Sequence, residues 1–553
     1  MSHTAPSSRP ITKLGWIMVL HVCEEWRSVA LADPRLWTEI SFALGPVWAT
    51  WMFSLAKSAP LSFDARTISD KSRIILRQLL RRYLSNIRVL TIHDEAYLLQ
   101  QTAEIVPVAP LLQILELRHQ SSGISVSSME TLLCNVFGNS LPALRRLTLI
   151  GFSLTPACFP ILSSLADLSI SFPRLLETST APIQSFNDFL MMLANSPSLE
   201  RLSLVNCLPT YDAKSPSPSS TLHLSILQSI TLGGPVTDCG PLLQHVQFPP
   251  TANLLLSCTP DDNDVDQLAI KDTLFPEITA RLHSDLRAPI RTLSFIPHGC
   301  TAHILKVTAW DIPGSEPETN KRTAFPPVSI FSYGTDAPAT FSLTLMYSKD
   351  ISFASISTLL DLRGLRTLRM AKPTEFTDTN KCKDTLVHLK QLEHISVTGP
   401  LAIAFCCTLT ASKKSKDDRR NSSKTSKSAR LKNKKDSTLT TEPNHARRVL
   451  LPNLTFLELR EVRFADATPG SRKLFHQALP GFLTKRQTLG KPIKHLSIRE
   501  CRIVGVWVHR LERVVKTVDW DYLNGCDLEL DMDTEMIKGI YGDEMVEMIS
   551  GLQ

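Results

Sequence analysis

Leu199-Glu200-Arg201-Leu202-Ser203-Leu204-Val205-Asn206-Cys207 is the stretch on which the reading of this chain turns. Leu202 and Leu204 alternate with polar residues, so both point to one side of a short strand. Leu199 stands three residues ahead of them, and Cys207 follows three residues behind. The same phrase recurs at Leu112–Leu115–Leu117, Leu144–Leu147–Leu149, Leu165–Leu168–Ile170, Leu227–Ile230–Leu232, Ile290–Leu293–Phe295 and Leu365–Leu368–Met370. Later copies are Leu392–Ile395–Val397, Leu454–Leu457–Leu459 and Ile493–Leu496–Ile498, the last with Cys501 in the place of Cys207. Fainter copies lie at Ile87–Leu90–Ile92 and Val515–Val518–Trp520. One such phrase carries little information, because Leu is common. Ten clear ones on a single chain define an internal repeat.

Helical spacing fills the intervals. Ser72–Leu84 sets Ile75, Leu76, Leu79 and Leu80 on one face, with Arg73, Arg77 and Arg81 largely opposite. Gln184–Ala194 follows a capping-box-like start at Ser185 and Asp188, and Ser128–Phe137 and Ser471–Leu483 repeat the theme. Helix, loop, strand and turn in sequence predict an α/β stack with parallel strands on its concave face and helices outside. The phrase completes L-x-x-L-x-L-x-x-C, similar to a leucine-rich repeat, in which the final Asn or Cys turns the chain beneath the strand. Spacings from about 20 to over 60 residues mark the array as irregular. The least regular part is Asp261–Thr358, with expected strands near Val328–Tyr333 and Thr340–Tyr347.

At 553 residues the chain exceeds one compact core. The net charge of +7 is concentrated, since Ser412–Asp436 holds eleven Lys and Arg against three Asp. The rest of the chain is near neutral. We read 412–446 as a solvated, disordered insertion, with an import signal as the second reading and a phosphate-contacting arm as the third. No aromatic residue interleaves with its charges, and nucleic acid is not an expected partner. The twelve cysteines are dispersed and form no C-x-x-C, which fits a reducing compartment and neither a zinc site nor a disulfide framework. No apolar run spans a bilayer, so cytoplasmic or nuclear placement without membrane contact is expected. Phosphate-loop, dinucleotide, zincin and nucleophile-elbow motifs are missing. Asp261-Asp262-Asn263-Asp264 lacks the Gly and distal Glu of a calcium loop and reads as an acidic turn. No enzyme activity, cofactor or metal is expected.

Five of the eight tryptophans fall within the first 51 residues, which suggests a separate small unit. His21-Val22-Cys23-Glu24-Glu25-Trp26-Arg27-Ser28-Val29-Ala30, followed by Asp33-Pro34-Arg35-Leu36-Trp37, resembles the second half of an F-box, V-C-x-x-W-R-x-[VIL]-A and then D/S-P-x-L-W. With the repeats behind it, the chain resembles fungal F-box proteins with leucine-rich repeats. The opening L-P-x-E-[IL] helix of that family has no counterpart in Met1–Pro10, as a truncated start or a degenerate box would explain.

The resemblance implies a disordered 1–10, an F-box-like segment over 11–58, repeat arrays over 59–411 and 447–553, and the insertion 412–446 between them. It implies docking to a Skp-type adaptor and a cullin, with Val22, Cys23, Trp26, Arg27, Leu36 and Trp37 as adaptor contacts. Read from the residues alone, Trp26 and Trp37 are first of all core, and Val22 and Cys23 packing residues. The repeat face would hold a protein substrate. Its outward side chains include Arg118, Arg146, Arg201, Arg369, Arg460 and Arg499, alternating with the buried apolars and outnumbering Glu116, Asp167 and Glu458. That excess suggests a preference for an acidic or phosphorylated segment, with ordinary solvated charge as the plainer alternative. The expected function is substrate recognition in a cullin–RING ubiquitin ligase, or, alternatively, a protein-binding scaffold that has lost ligase docking. His394 and His495 read as surface or packing residues.

Overall fold

The computed structural model describes residues 17–65, 70–93, 109–118, 141–152, 154, 161–172, 185–211, 221–259, 270–298, 304–311, 339–346, 353–371, 384, 386–410, 449–469 and 473–521. The insertion 412–446, the expected helix 128–137, the acidic turn 261–264 and the expected strand 328–333 lie outside them.

In chain order the strands are β1 (Glu39–Ser41), β2 (Leu61–Ala65), β3 (Ile87–His93), β4 (Ile114–Arg118), β5 (Arg146–Ile150), β6 (Asp167–Ser171) and β7 (Arg201–Val205). They continue with β8 (Leu222–His223), β9 (Ser229–Pro235), β10 (Val246–Gln247), β11 (Asn253–Thr259), β12 (Thr292–His298), β13 (Ile304–Trp310) and β14 (Phe341–Met346). The last are β15 (Thr367–Ala371), β16 (His394–Thr398), β17 (Phe456–Arg460), β18 (His495–Arg499) and β19 (Thr517–Trp520). The α-helices are α1 (Glu24–Ala32), α2 (Pro46–Ala56), α3 (Asp70–Tyr83), α4 (Phe186–Ala194), α5 (Val236–His245), α6 (Phe275–Leu282), α7 (Phe353–Leu359), α8 (Pro400–Thr410), α9 (Phe475–Thr488) and α10 (Gly505–Glu512).

The chain divides into two units, residues 1–287 with 339–348, and residues 288–338 with 349–553. In the first, the order β1-β2-β3-β4-β5-β6-β7-β9-β11-β14 is parallel throughout. In the second, β12-β15-β16-β17-β18-β19 are parallel neighbours, and β13 pairs antiparallel with β12. The architecture is mixed α/β with a large, mostly parallel sheet and no closed barrel among the described residues. The β12–β13 pair is the departure from the expected all-parallel arrangement. Only five residues separate these two strands, too few for the crossover that a parallel pair needs.

Each of the twelve phrases falls on a parallel strand. In the first unit Leu115, Leu147, Leu168, Leu202, Ile230 and Leu254 share one register row, and Leu117, Leu149, Ile170, Leu204, Leu232 and Leu256 the next, all buried. The leading apolar residue has its own role. The N–H groups of Leu112, Leu144, Leu165, Leu199 and Leu227 donate to the carbonyls three residues back, at Ala109, Leu141, Leu162, Ser196 and Leu224. That turn tucks each leucine under its strand, where full burial contributes about 1.5–3 kcal/mol per side chain.

A second recurrent turn ends the strands. Gly151, Asn206, Gly399, Glu461 and Glu500 directly follow β5, β7, β16, β17 and β18, and each has positive φ. The first four donate their N–H to the neighbouring strand's last residues, as Asn206 does to Gly233 O at 2.7 Å. Past this turn Cys207 and Cys501 drop beneath the sheet, as their place in the phrase requires. The Cys207 thiol meets Ile170 O at 3.5 Å, and the Cys501 thiol meets Leu459 O at 3.3 Å. Burial pushes both thiols up to about 12.

The tryptophan-rich segment is joined to the sheet of the first unit and does not form a separate unit. β1 pairs with β2, and Phe53 of α2 packs between Phe63 and the stacked ring of Tyr83, centroids 5.6 and 4.8 Å away. Trp37, Ile40, Phe42, Ala49, Met52 and Phe53 complete the core at that edge.

Candidate partner-binding surfaces

The first surface is α1. Cys23 is its N-cap, the Sγ accepting the Trp26 N–H at 3.4 Å. Glu24 and Glu25 in the first turn favour the positive end of the helix dipole. Asp33 then caps the short Pro34–Trp37 turn, its Oδ1 accepting the Arg35 N–H at 3.0 Å and its Oδ2 pairing with the Arg35 guanidinium at 2.8 Å. That hydrogen-bonded pairing lowers the Asp33 carboxyl and raises the Arg35 guanidinium relative to their ordinary values. Arg27 donates from Nε to Leu20 O at 2.7 Å, tying α1 to the turn before it. Trp37 is fully buried, and its indole N–H donates to Ala30 O at 2.8 Å.

The six residues singled out as adaptor contacts therefore divide. Arg27 and Trp37 hold the segment's shape. Val22, Cys23, Trp26 and Leu36 face solvent, with Val22 62% and Trp26 55% exposed, and Val29 joins them at 64%. The packing reading holds for Trp37 and fails for Val22, Cys23 and Trp26. The apolar stripe on α1 covers so much of the helix that sequence alone does not say which edge points inward. In the fold only Ala30 of α1 is buried. Trp26 and Val29 are three residues apart and share a helix face.

The second surface is the polar face of the sheet. In the first unit Arg146, Asp167 and Arg201 occupy one register row on β5, β6 and β7, with Thr148, Ser169 and Ser203 in the row beside them. The Nε atoms of Arg146 and Arg201 both donate to Asp167 Oδ2, at 2.9 and 3.1 Å. On the flanking strands His93 Nε2 meets Glu116 Oε1 at 3.0 Å. Arg118 stands in register with His93, and its Nε is buried without a hydrogen-bond partner among the described residues. In the second unit Arg460 pairs with Glu458 at 3.0 Å and Glu500 at 3.5 Å, and Arg499 pairs with Asp519. Arg369 is exposed and makes no ion pair among the described residues. His394, Phe456 and His495 lie in one row as a ring stack, centroids 5.2 and 6.2 Å apart. The histidines thus flank a phenylalanine on the polar face, a grouping visible only once the register is known.

Among the described residues no three His, Cys, Asp or Glu side chains are grouped to hold a metal ion. No helix among them is long and apolar enough to cross a membrane. The described thiols are free, and Cys239, held up chiefly by its hydrogen bond with Cys258 and then by burial, stays protonated at neutral pH. No protein-family model matches the chain, and no curated protein is similar to it in sequence.

Proposed function

We propose that this protein is a substrate-recognition subunit of a cullin–RING ubiquitin ligase, built as an F-box-like head on an irregular leucine-rich-repeat solenoid. The head docks to a Skp-type adaptor, the repeat face holds a protein substrate, and the chain performs no chemistry itself. It acts by raising the local concentration of substrate beside the charged ligase. The observation that carries the reading is the solvent-facing apolar strip of Val22, Trp26 and Val29, with Leu36 nearby, on a segment pinned from beneath by Trp37. Exposed tryptophan on a rigid support is what a protein interface uses as its anchor. The repeated turn before each strand and the buried cysteine after β7 and β18 support the repeat reading.

Co-expression with a Skp-type adaptor and capture on that adaptor tests it. The native chain is expected to co-purify in stoichiometric amount, and a Val22→Ala/Trp26→Ala variant is expected to be lost from the complex while remaining folded. A native chain that is not captured would leave a repeat scaffold that binds protein without a ligase.

A further inference from the structure

The second surface can be taken further, resting on the proposal that the sheet's polar face holds a protein partner. Six arginines on that face invite an acidic segment, but they are not equivalent. Arg460 and Arg499 stand against Glu458, Glu500 and Asp519, so carboxylates outnumber guanidiniums and the cluster is closed by its own acids. Around Arg146 and Arg201 the numbers are even, with Asp167 and Glu200 as the two carboxylates. Both arginines reach Asp167 through Nε. Asp167 is the covered member, 18% exposed, while Arg146 and Arg201 remain 48% and 44% exposed. Glu200, the exposed residue before β7, pairs with Arg201 Nη1 at 3.6 Å and leaves Arg146 with Asp167 as its one ion-pair partner among the described residues.

Each guanidinium has five N–H donors. Asp167 takes one from each arginine, which fixes both side chains and leaves both terminal nitrogens of Arg146 and Nη2 of Arg201 for a partner, with Arg201 Nη1 beside Glu200. The neighbouring row of Thr148, Ser169 and Ser203 is short and half-buried, so the flank of the arginine pair is open and lined with hydroxyls. We infer that Arg146 and Arg201, oriented by Asp167 and flanked by Thr148, Ser169 and Ser203, form the contact site for an acidic side chain of a partner protein segment, a carboxylate or a phosphorylated hydroxyl. Two pre-positioned guanidiniums match the bidentate geometry of either group. Asp167 is a positioning residue in this site, since its charge holds the pair in place and weakens the site by one unit.

The test uses the full chain and a glutamate-rich decapeptide bearing a benzophenone side chain, with a glutamine analogue as the neutral control and a phosphoserine analogue as the second anion. Photo-crosslinking at low and moderate salt, followed by adduct mapping, reads the location directly. Adducts are expected on peptides containing residues 146–148 and 201–203, absent with the glutamine peptide. Arg146→Gln/Arg201→Gln is expected to weaken binding at this site at least about tenfold, and Arg460→Gln to change it less than about twofold. The glutamate and phosphoserine arms show which anion is preferred. Adducts confined to 412–436, an unchanged affinity in the double variant of confirmed fold, or displacement of the peptide from this site by an oligonucleotide that is itself lost in the double variant would overturn the inference. Because the readout requires no adaptor, it is independent of ligase docking.

Discussion

Trp26 and Trp37 are eleven residues apart in the same motif, and the structure assigns them opposite costs. Trp37 is fully buried, in edge contact with Trp51 at 5.2 Å, and its N–H satisfies Ala30 O. Trp37→Ala removes one of the largest side chains of the core and leaves that carbonyl without its donor. Large-to-small aromatic changes cost about 3–5 kcal/mol, and the lost buried hydrogen bond falls within that range when counted as part of the whole. Trp26 is more than half exposed. Its N-cap bond to Cys23 runs through the backbone N–H, so Trp26→Ala keeps it. The expected cost is under about 0.5 kcal/mol. Hydrogen–deuterium exchange on peptides spanning residues 24–63 separates the two. Trp37→Ala should raise exchange across α1, β1 and α2 by roughly two to nearly four orders of magnitude, and Trp26→Ala should leave it at the native level. Equal protection loss in the two variants would refute the assignment of one tryptophan to the core and the other to the surface.

Further outcomes follow from the second unit and from the turns. Arg486 is buried and donates to the carbonyls of Leu450, Leu451, Leu454 and Lys491 at 2.9–3.4 Å, with no carboxylate partner among the described residues. Burial lowers its guanidinium to about 10, so it is still charged at neutral pH. Arg486→Met should cost about 3 kcal/mol in urea unfolding of the second unit, roughly 1 kcal/mol for each of its three closest bonds. His476 is buried, stacked on Trp507 at 3.9 Å, and bonded through Nδ1 to Phe464 O at 3.2 Å. Burial, the largest influence, and the nearby Arg510 hold its pKa below the ordinary 6.5. A depressed histidine pKa means that the unfolded chain takes up the proton first. Its contribution to stability is therefore complete above 6.5 and is lost as pH falls through the lowered value. His476→Gln should flatten that decline in melts taken from neutral pH to below 6.5. Asn206 adopts φ of 54° and donates from Nδ2 to Phe172 O at 3.1 Å. Asn206→Val should destabilise the first unit by about 2–3 kcal/mol, and Asn206→Gly by less than about 1 kcal/mol, in thermal melts.

The strands were legible because their signal is local and repeated. Leu202 and Leu204 alternate with residues that face the other side of the sheet, and the fold buries both apolar strand positions at every phrase except Val515–Val518–Trp520, where Val518 and Trp520 are half-buried. Helices with clear ends were legible too. Ser185 caps α4 by accepting the Asp188 N–H at 3.0 Å, as its sequence position suggests. α8 was harder to place, because Pro400–Thr410 is apolar on nearly every side and has no amphipathic period. α5 carries Pro241 within it, which reads as a breaker. The contacts that depend on register were out of reach. Asp167 joining Arg146 to Arg201 requires knowing that three strands separated by loops lie side by side. The arginines that clamp carbonyls leave no partner to find in the sequence. Arg287, for instance, donates to Pro250 O at 3.0 Å and Thr340 O at 2.6 Å. At the head, burial of Trp37 follows from reading it as a large aromatic core residue, while the orientation of α1 depended on a core that lies mostly beyond residues 21–37.

The most direct measurement is capture of the full chain by a Skp-type adaptor, with the native protein and the Val22→Ala/Trp26→Ala variant run side by side and both verified as folded. The account predicts a stoichiometric native complex and none with the variant. A folded native chain that is not retained, or a variant retained as well as the native chain, would contradict the assignment of α1 as the docking surface.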